Sequence, residues 1–193
     1  YHIDPKRGMD TFFVLSQHIS VDFNTFYRVN LLENEQVKSS YRNEWLTVKS
    51  MRLERHESYV NHIEYSDFKV FSMLFESIPE NVQLQLANSA TVRYAQLFDL
   101  KESLEVFCNR GTSGIDGSTS TAIGAAYAST RPTVLITGDL SFFYDSNALW
   151  NRYIPKNFRI IIVNNSGGGI FRILPGKSET ENFSTYFETR HSL

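Results

Sequence analysis

Two short phrases contain the residues best suited to chemistry: Gly138-Asp139-Leu140-Ser141 and Asn164-Asn165-Ser166-Gly167-Gly168-Gly169. Asp139 offers a carboxylate and Asn165 an amide oxygen. These are hard donors, but too few to cage a divalent cation with protein alone. Mg²⁺ tolerates such sparse ligation, because it keeps several waters and takes phosphate oxygens as further ligands. Consecutive glycines free a backbone carbonyl, that of Gly167, to act as a third ligand, and they expose N–H groups to an anion. The helix expected after Leu140-Ser141 would aim its N-terminus at the same phosphates. Asp139, Asn165 and the Gly167 carbonyl, with diphosphate oxygens opposite, therefore make one coherent metal site. Asp and Asn are also ordinary turn formers, and a glycine triplet can be a plain loop. Residue type alone leaves both readings open.

Each phrase must be positioned by something, and each follows an apolar run. Thr133 to Thr137 and Phe158 to Val163 are continuous, β-branched stretches of the kind buried in parallel sheets. Asp139 and Asn165 lie 26 positions apart, which suits one strand, a crossover and a return. Ligands in such sheets sit beyond the carboxyl ends of the strands. Val82 to Leu86 alternates as a half-buried strand, and Leu104 to Cys108 reads as another. Between the strands fall a helix capped by Asn88-Ser89, a helix of small residues from Ser118 to Ala128, and a helix from Tyr144 to Tyr153 ended by Pro155. This alternation predicts an α/β fold: an open, mainly parallel sheet with helices on both faces and right-handed crossovers.

Upstream, Phe12-Phe13-Val14-Leu15 reads as extended and Val21 to Leu32 as a short helix. Glu35 to Val60 reads as an amphipathic helix with Val37, Tyr41, Trp45 and Val48 on one face. Ser66 is the expected cap of a helix that stops before Pro79. The plan expected is therefore residues 1–34 as the tail of one domain, 35–64 as a linker helix, and 65–193 as an incomplete diphosphate- and metal-binding domain. Nine of the ten glycines lie between Gly111 and Gly176, which marks that stretch as the place where a ligand would approach main chain.

Composition narrows the function classes. With 41% hydrophobic residues in 193, the chain is too apolar for intrinsic disorder. Nineteen Lys and Arg against 21 Asp and Glu leave a net charge of −2, so the basic footprint of a nucleic-acid or anionic-lipid binder is missing. No apolar run approaches the ~20 residues of a membrane span. The lone Cys108 gives neither a disulfide framework nor a zinc cluster, and a cytoplasmic location is expected. Tyr1 enters mid-phrase and Leu193 ends without a cap, so the sequence reads as a piece of a longer chain. Gly176-Lys177-Ser178 imitates a phosphate-binding loop, but Phe171 stands where its earlier glycine is required. The five histidines are scattered, with His56 and His62 unlike zinc ligands on a helix. Gly111 to Gly114 lacks the spacing of a serine nucleophile elbow.

Gly138-Asp139 followed by the Asn164-Asn165 pair resembles the two-part signature of thiamine-diphosphate enzymes. Leu140 replaces the usual third-position glycine. Four further phrases narrow the resemblance to the MenD family of menaquinone-pathway carboligases: Gly138 to Ser141, Tyr144 to Leu149, Asn88-Ser89 with Arg93, and Asn109 to Gly117. The similarity runs from Asn88 to Pro175. It implies thiamine diphosphate and Mg²⁺ (or Mn²⁺) as cofactors, the metal held by Asp139, Asn165 and Gly167. It also implies Ile115 as an apolar wedge beneath the cofactor, lined further by Gly138, Leu140, Ser141, Gly168 and Ile170. Ser89, Arg93 and Arg110 would take substrate carboxylates, and Phe171 and Leu174, with Ile170, would form an apolar wall. The implied reaction decarboxylates 2-oxoglutarate and adds the succinyl unit to isochorismate in a 1,4-addition.

Without the resemblance, Arg93 and Arg110 read as surface ion-pair formers and Ile115, Ile170, Phe171 and Leu174 as packing residues. The family also implies a glutamate from a preceding domain, normally of a second subunit in a homo-oligomer, so no catalytic residue is expected here and this stretch alone should not turn over substrate. Two alternatives share the fold: an acetolactate synthase-like enzyme or 2-oxo-acid decarboxylase, and a non-catalytic dimerisation module. Two fixed arginines favour a multiply anionic substrate over small neutral acceptors.

Overall fold

The computed structural model describes residues 1–31, 38–173 and 182–192, and the chain divides into two compact units, Tyr1–Arg55 and His56–Leu193. In the first unit, β1 (His2–Ile3) and β2 (His18–Ile19) pair in parallel. The stretch from Phe12 to Leu15 is a turn rather than an extended segment. Asp10 Oδ1 accepts the N–H groups of Val14 and Leu15 at 2.9 and 3.0 Å and pulls the chain round, with Phe13 at φ 56°. Helix α1 (Phe23–Leu31) lies inside the expected range. Asp22 caps it, accepting the Thr25 hydroxyl and N–H, and these bonds hold the Asp22 carboxyl below its ordinary range.

Helix α2 (Tyr41–His62) begins later than Glu35, because Ser39 and Ser40 take its opening groups: Tyr41 N–H donates to Ser39 Oγ, and Ser40 Oγ donates to Glu44. Val37 lies outside the described residues. Tyr41, Trp45 and Val48 are exposed.

The second unit contains α3 (Asp67–Ser77), β3 (Gln83–Leu86), α4 (Ala90–Ala95), β4 (Glu105–Cys108), α5 (Ser118–Ala128), β5 (Thr133–Gly138), α6 (Asp139–Tyr144), β6 (Phe158–Val163), β7 (Gly167–Gly168), α7 (Ile170–Ile173) and β8 (Thr189–Arg190). Strands β4-β3-β5-β6 form one sheet, parallel throughout, in that order. This is the open parallel α/β sheet expected. Alternate residues of β5 enter different cores. Val134 and Ile136 join Phe71, Phe75, Leu84, Leu86 and Ala95, whereas Leu135 joins Ala122, Ile123, Ala126 and Phe158. Helices α3 and α4 therefore cover one face and α5 the other.

Three local expectations need correction. Strand β3 is buried on both faces, not half-buried, because helices lie over both: Leu84 and Leu86 pack against the core under α3 and α4, and α5 lies over the side of Gln83 and Gln85, which are also buried. Asn88 and Ser89 do not cap α4 with their side chains. Asn88 is drawn away by Arg110 and Gly114, and Ser89 sits at φ 69°, ψ −128°. The helix expected from Tyr144 to Tyr153 instead starts at Asp139 and ends at Tyr144, followed by a 3₁₀ turn over Ser146–Leu149. Asp145 causes the break. Its buried carboxylate accepts the N–H and hydroxyl of Ser120, both at 2.6 Å, and this holds the residue at a non-helical φ −136°, ψ 21°.

Candidate functional site

The order β4-β3-β5-β6 reverses direction at β3: the chain goes to one side for β4 and to the other for β5. Parallel strands put their carboxyl ends on one edge, and the crevice at such a reversal is where open α/β sheets bind ligands. A cavity of about 270 Å³ opens there. It is lined by Ser89 and Arg93 after β3, by Gly138, Asp139, Leu140 and Ser141 after β5, and by Asn165, Gly167, Gly168 and Ile170 after β6, with Ile115 beside them. The two phrases singled out in the sequence thus face one space.

Asp139 is 4% exposed, yet it is surrounded by donors. Oδ1 accepts the N–H of Leu140 at 2.6 Å, and Oδ2 accepts the N–H of Gly167 at 2.9 Å and His191 Nε2 at 2.8 Å. A buried carboxylate needs this compensation. The bond to Gly167 joins the first phrase to the second directly. Gly167 has to be glycine: its φ is +144°, and a Cβ there would lie 2.0 Å from the Thr189 carbonyl oxygen on β8. Two residues of the triplet therefore pair antiparallel with Thr189–Arg190 rather than forming a free loop. The departure at Leu140 has a packing counterpart, because a Cβ on Gly168 would meet Leu140 Cδ1 at 2.8 Å.

Asn165 is exposed and donates through Nδ2 to Asp67 Oδ2 at 2.7 Å. Ser141 is buried and donates its hydroxyl to the Ile115 carbonyl at 2.5 Å, which fixes the loop carrying Ile115 against α6. Arg93 is exposed on α4 and reaches the cavity one turn after Ser89. Arg110 does not line the cavity. It lies exposed at the rim, its Nη1 donating to Asn88 Oδ1 at 2.7 Å, while Asn88 Nδ2 donates to the Gly114 carbonyl. Phe171 also stands outside the lining, 44% exposed, with its ring against Phe187 at 5.7 Å. Leu174 lies outside the described residues.

Three residues at the site carried no functional signal in the sequence. Asp67 reads as an acid in a helix first turn, His191 as one of five scattered histidines, and Tyr94 as helix packing. Their contacts span tens of residues, and no local pattern announces them. Burial, with the charge of Asp67 and then Tyr59 added, pushes the Tyr94 phenol above its ordinary value and keeps it neutral. Burial also raises the Cys108 thiol, partly offset by Arg110.

The donors fit a small hard cation. Among the described residues no three His, Cys, Asp or Glu side chains gather as ligands, so a cation here would draw on a carboxylate, an amide oxygen, main chain and its own anionic ligand. A Cβ added at Gly138 or Gly169 would meet nothing within 4 Å, so main chain is open to an approaching group at both glycines.

A sequence profile described as "Thiamine pyrophosphate enzyme, C-terminal TPP binding domain" matches residues 88–192. Three bacterial relatives, each a 2-succinyl-5-enolpyruvyl-6-hydroxy-3-cyclohexene-1-carboxylate synthase, align along the whole chain. That of Flavobacterium johnsoniae is 56% identical, and those of Flavobacterium psychrophilum and Christiangramia forsetii are each 54% identical. The chain spans only 33–35% of the length of these relatives. They bear out the MenD-family resemblance drawn from the motifs. On the profile match and the paired turns facing one cavity, this chain belongs to the thiamine pyrophosphate enzymes and carries their C-terminal cofactor-binding domain.

Proposed function

We propose that the protein carrying this chain is a Mg²⁺-dependent carboligase of menaquinone biosynthesis, which decarboxylates 2-oxoglutarate and adds the succinyl unit to isochorismate. One observation carries the reading: Asp139 and Asn165, from two different turns, line one cavity at the sheet's switch point in a chain 54–56% identical to synthases of that name. Asp139, Asn165 and the Gly167 carbonyl would hold Mg²⁺ (or Mn²⁺), which would supply the positive charge that a diphosphate requires. Thiamine diphosphate supplies the carbanion chemistry; the protein supplies position and field. Ile115 supports the cofactor, with its carbonyl pinned by Ser141, and Gly138, Leu140, Gly168 and Ile170 line it.

Ser89 and Arg93 take a substrate carboxylate at the cavity mouth, where a planar guanidinium matches a carboxylate fork. Arg110, anchored on Asn88, adds a second cation, and Phe171 contributes to the wall against the acceptor. Residues 1–34 are the tail of a central domain, 35–64 a linker helix and 65–193 the diphosphate-binding domain. A second subunit of a homo-oligomer supplies the remaining wall and the catalytic glutamate, and the enzyme works in the cytoplasm. No helix among the described residues is long and apolar enough to cross a membrane.

The test is calorimetric titration of the intact protein with thiamine diphosphate, with and without Mg²⁺, alongside consumption of 2-oxoglutarate and isochorismate. Binding should require Mg²⁺ and vanish in Asp139→Ala. Cofactor binding that is indifferent to both would refute the assignment. Consumption of 2-oxoglutarate without any use of isochorismate would move the enzyme to the 2-oxo-acid decarboxylases.

A further inference from the structure

We infer that Asp67 is a positioning residue that sets the Asn165 amide so that its oxygen, and not its nitrogen, is presented to the cation. The inference rests on the proposed metal role of Asn165 and adds a residue from outside either motif. Asn165 Nδ2 lies 2.7 Å from Asp67 Oδ2, and both side chains border the same cavity. An ionised carboxylate only accepts hydrogen bonds, so the end of the amide facing it has to be the NH₂ group. The two ends of an amide diverge from one carbon. Fixing the nitrogen on Asp67 therefore turns the oxygen elsewhere, and a hard cation can use only the oxygen.

Asp67 is well placed to do this. It is half-buried in the first turn of α3, immediately after Ser66, whose Oγ accepts the Lys69 N–H at 3.4 Å and so fixes the backbone that carries the carboxylate. Asn165, by contrast, is exposed, and it precedes Ser166 at φ 66° in a turn with no regular structure. A side chain on such a turn samples rotamers unless something holds it. Holding a ligand's non-coordinating end is how outer-shell groups act at metal sites, and losing one typically weakens metal affinity about 10–100-fold. The charge of Asp67 is felt at the same place, since it helps keep Tyr94 neutral. Two contributions are thus to be separated: an acceptor that orients, and an anion that attracts.

The experiment is Mg²⁺ titration of the intact protein at saturating thiamine diphosphate, followed by calorimetry, in wild type and in Asp67→Ala, Asp67→Asn, Asn165→Ala and the Asp67→Ala/Asn165→Ala double variant. Asp67→Ala should raise the half-saturating Mg²⁺ concentration by about 10-fold or more. Asp67→Asn, which keeps an acceptor oxygen and drops the charge, should restore most of it. In the Asn165→Ala background, Asp67→Ala should cost far less than in wild type, because there is no amide left to orient and only the attraction of the charge remains.

Asp67→Ala titrating like wild type overturns the inference, as do Asn behaving as badly as Ala, or losses that simply add. Asp139→Ala binding Mg²⁺ and cofactor normally overturns the underlying metal assignment instead, so the two failures are distinguishable. Should Asp67→Ala fail to fold, Asp67→Ser suits a helix first turn but stops short of Asn165, and it must show the same loss.

Discussion

The two turns that face the cavity are built in opposite ways. Asp139 is buried, begins a helix, and has three donors on its carboxylate drawn from α6, β7 and the segment after β8. Asn165 is exposed, sits in a short irregular turn, and is held through one amide nitrogen by Asp67. The first arrangement ties the side chain into the fold, so its removal should be felt by the structure as well as by the site. The second hangs the side chain on a surface turn, so its removal should be felt at the site alone. A carboxylate requires dense support once buried, because its desolvation must be offset by donors. A neutral amide at the surface has no such debt.

The largest effect should follow from Asp139→Ala. Mg²⁺-dependent cofactor binding should fall by more than about 100-fold, since a ligand is lost and not merely its support. Stability should also fall, by about 1–3 kcal/mol, because the Gly167 N–H and His191 are left without their acceptor. Urea unfolding of the intact protein checks the second figure. Asn165→Ala should cost Mg²⁺ affinity but leave stability within about 0.5 kcal/mol of wild type, as is usual at exposed positions. If Asn165→Ala destabilises as much as Asp139→Ala, the contrast between the turns is wrong.

His191→Ala sharpens the contrast from the other side. His191 touches the Asp139 carboxylate but lines no part of the cavity. Its loss should weaken Mg²⁺ affinity by about 10-fold, with His191→Gln recovering part of it through its own N–H donor. An unchanged affinity in His191→Ala would mean that Gly167 and Leu140 suffice to aim Asp139.

These partners explain how far the sequence could be read. The strands β5 and β6 were legible from their apolar, β-branched runs, Thr133 to Thr137 and Phe158 to Val163, although only β5 is a central, buried strand; β6 is the edge of the described sheet, with Ile162 41% exposed. Strand β3 misled, because Gln83 and Gln85 imitate a solvent face while α5 lies over that side of the sheet. Asp139 and Asn165 were legible as a pair, because each directly follows a strand of a parallel sheet and the two turns fall on the same edge, where they line one cavity. The break at Asp145 was not, because the Ser120 contact that causes it spans 25 residues. Asp67 and His191 were hidden for the same reason: they meet their partners only after the sheet has brought the carboxyl ends of β5 and β6 together. Local spacing shows which polar side chains meet at the cavity, but not which side chains hold those in place.

The smallest effect concerns the wall between the two turns. Tyr94 lines the cavity near Asp67, and burial followed by that carboxylate raises its phenol above the ordinary value of 10.0. In the unfolded chain Tyr94 ionises near its ordinary value, while in the folded chain it stays protonated to higher pH. Between the two values the unfolded state binds fewer protons, so stability must fall as pH rises through that window, and it is unaffected below it. Tyr94→Phe removes the group that titrates. Urea unfolding at pH 8 and again above pH 10 should therefore show a loss in wild type that is smaller in Tyr94→Phe, with the two proteins keeping a constant difference at neutral pH. An equal alkaline loss in both would mean that neither burial nor the Asp67 charge holds the Tyr94 phenol above its ordinary value. The carboxylate would then be screened from the cavity wall, and its influence there would be confined to the one amide it touches.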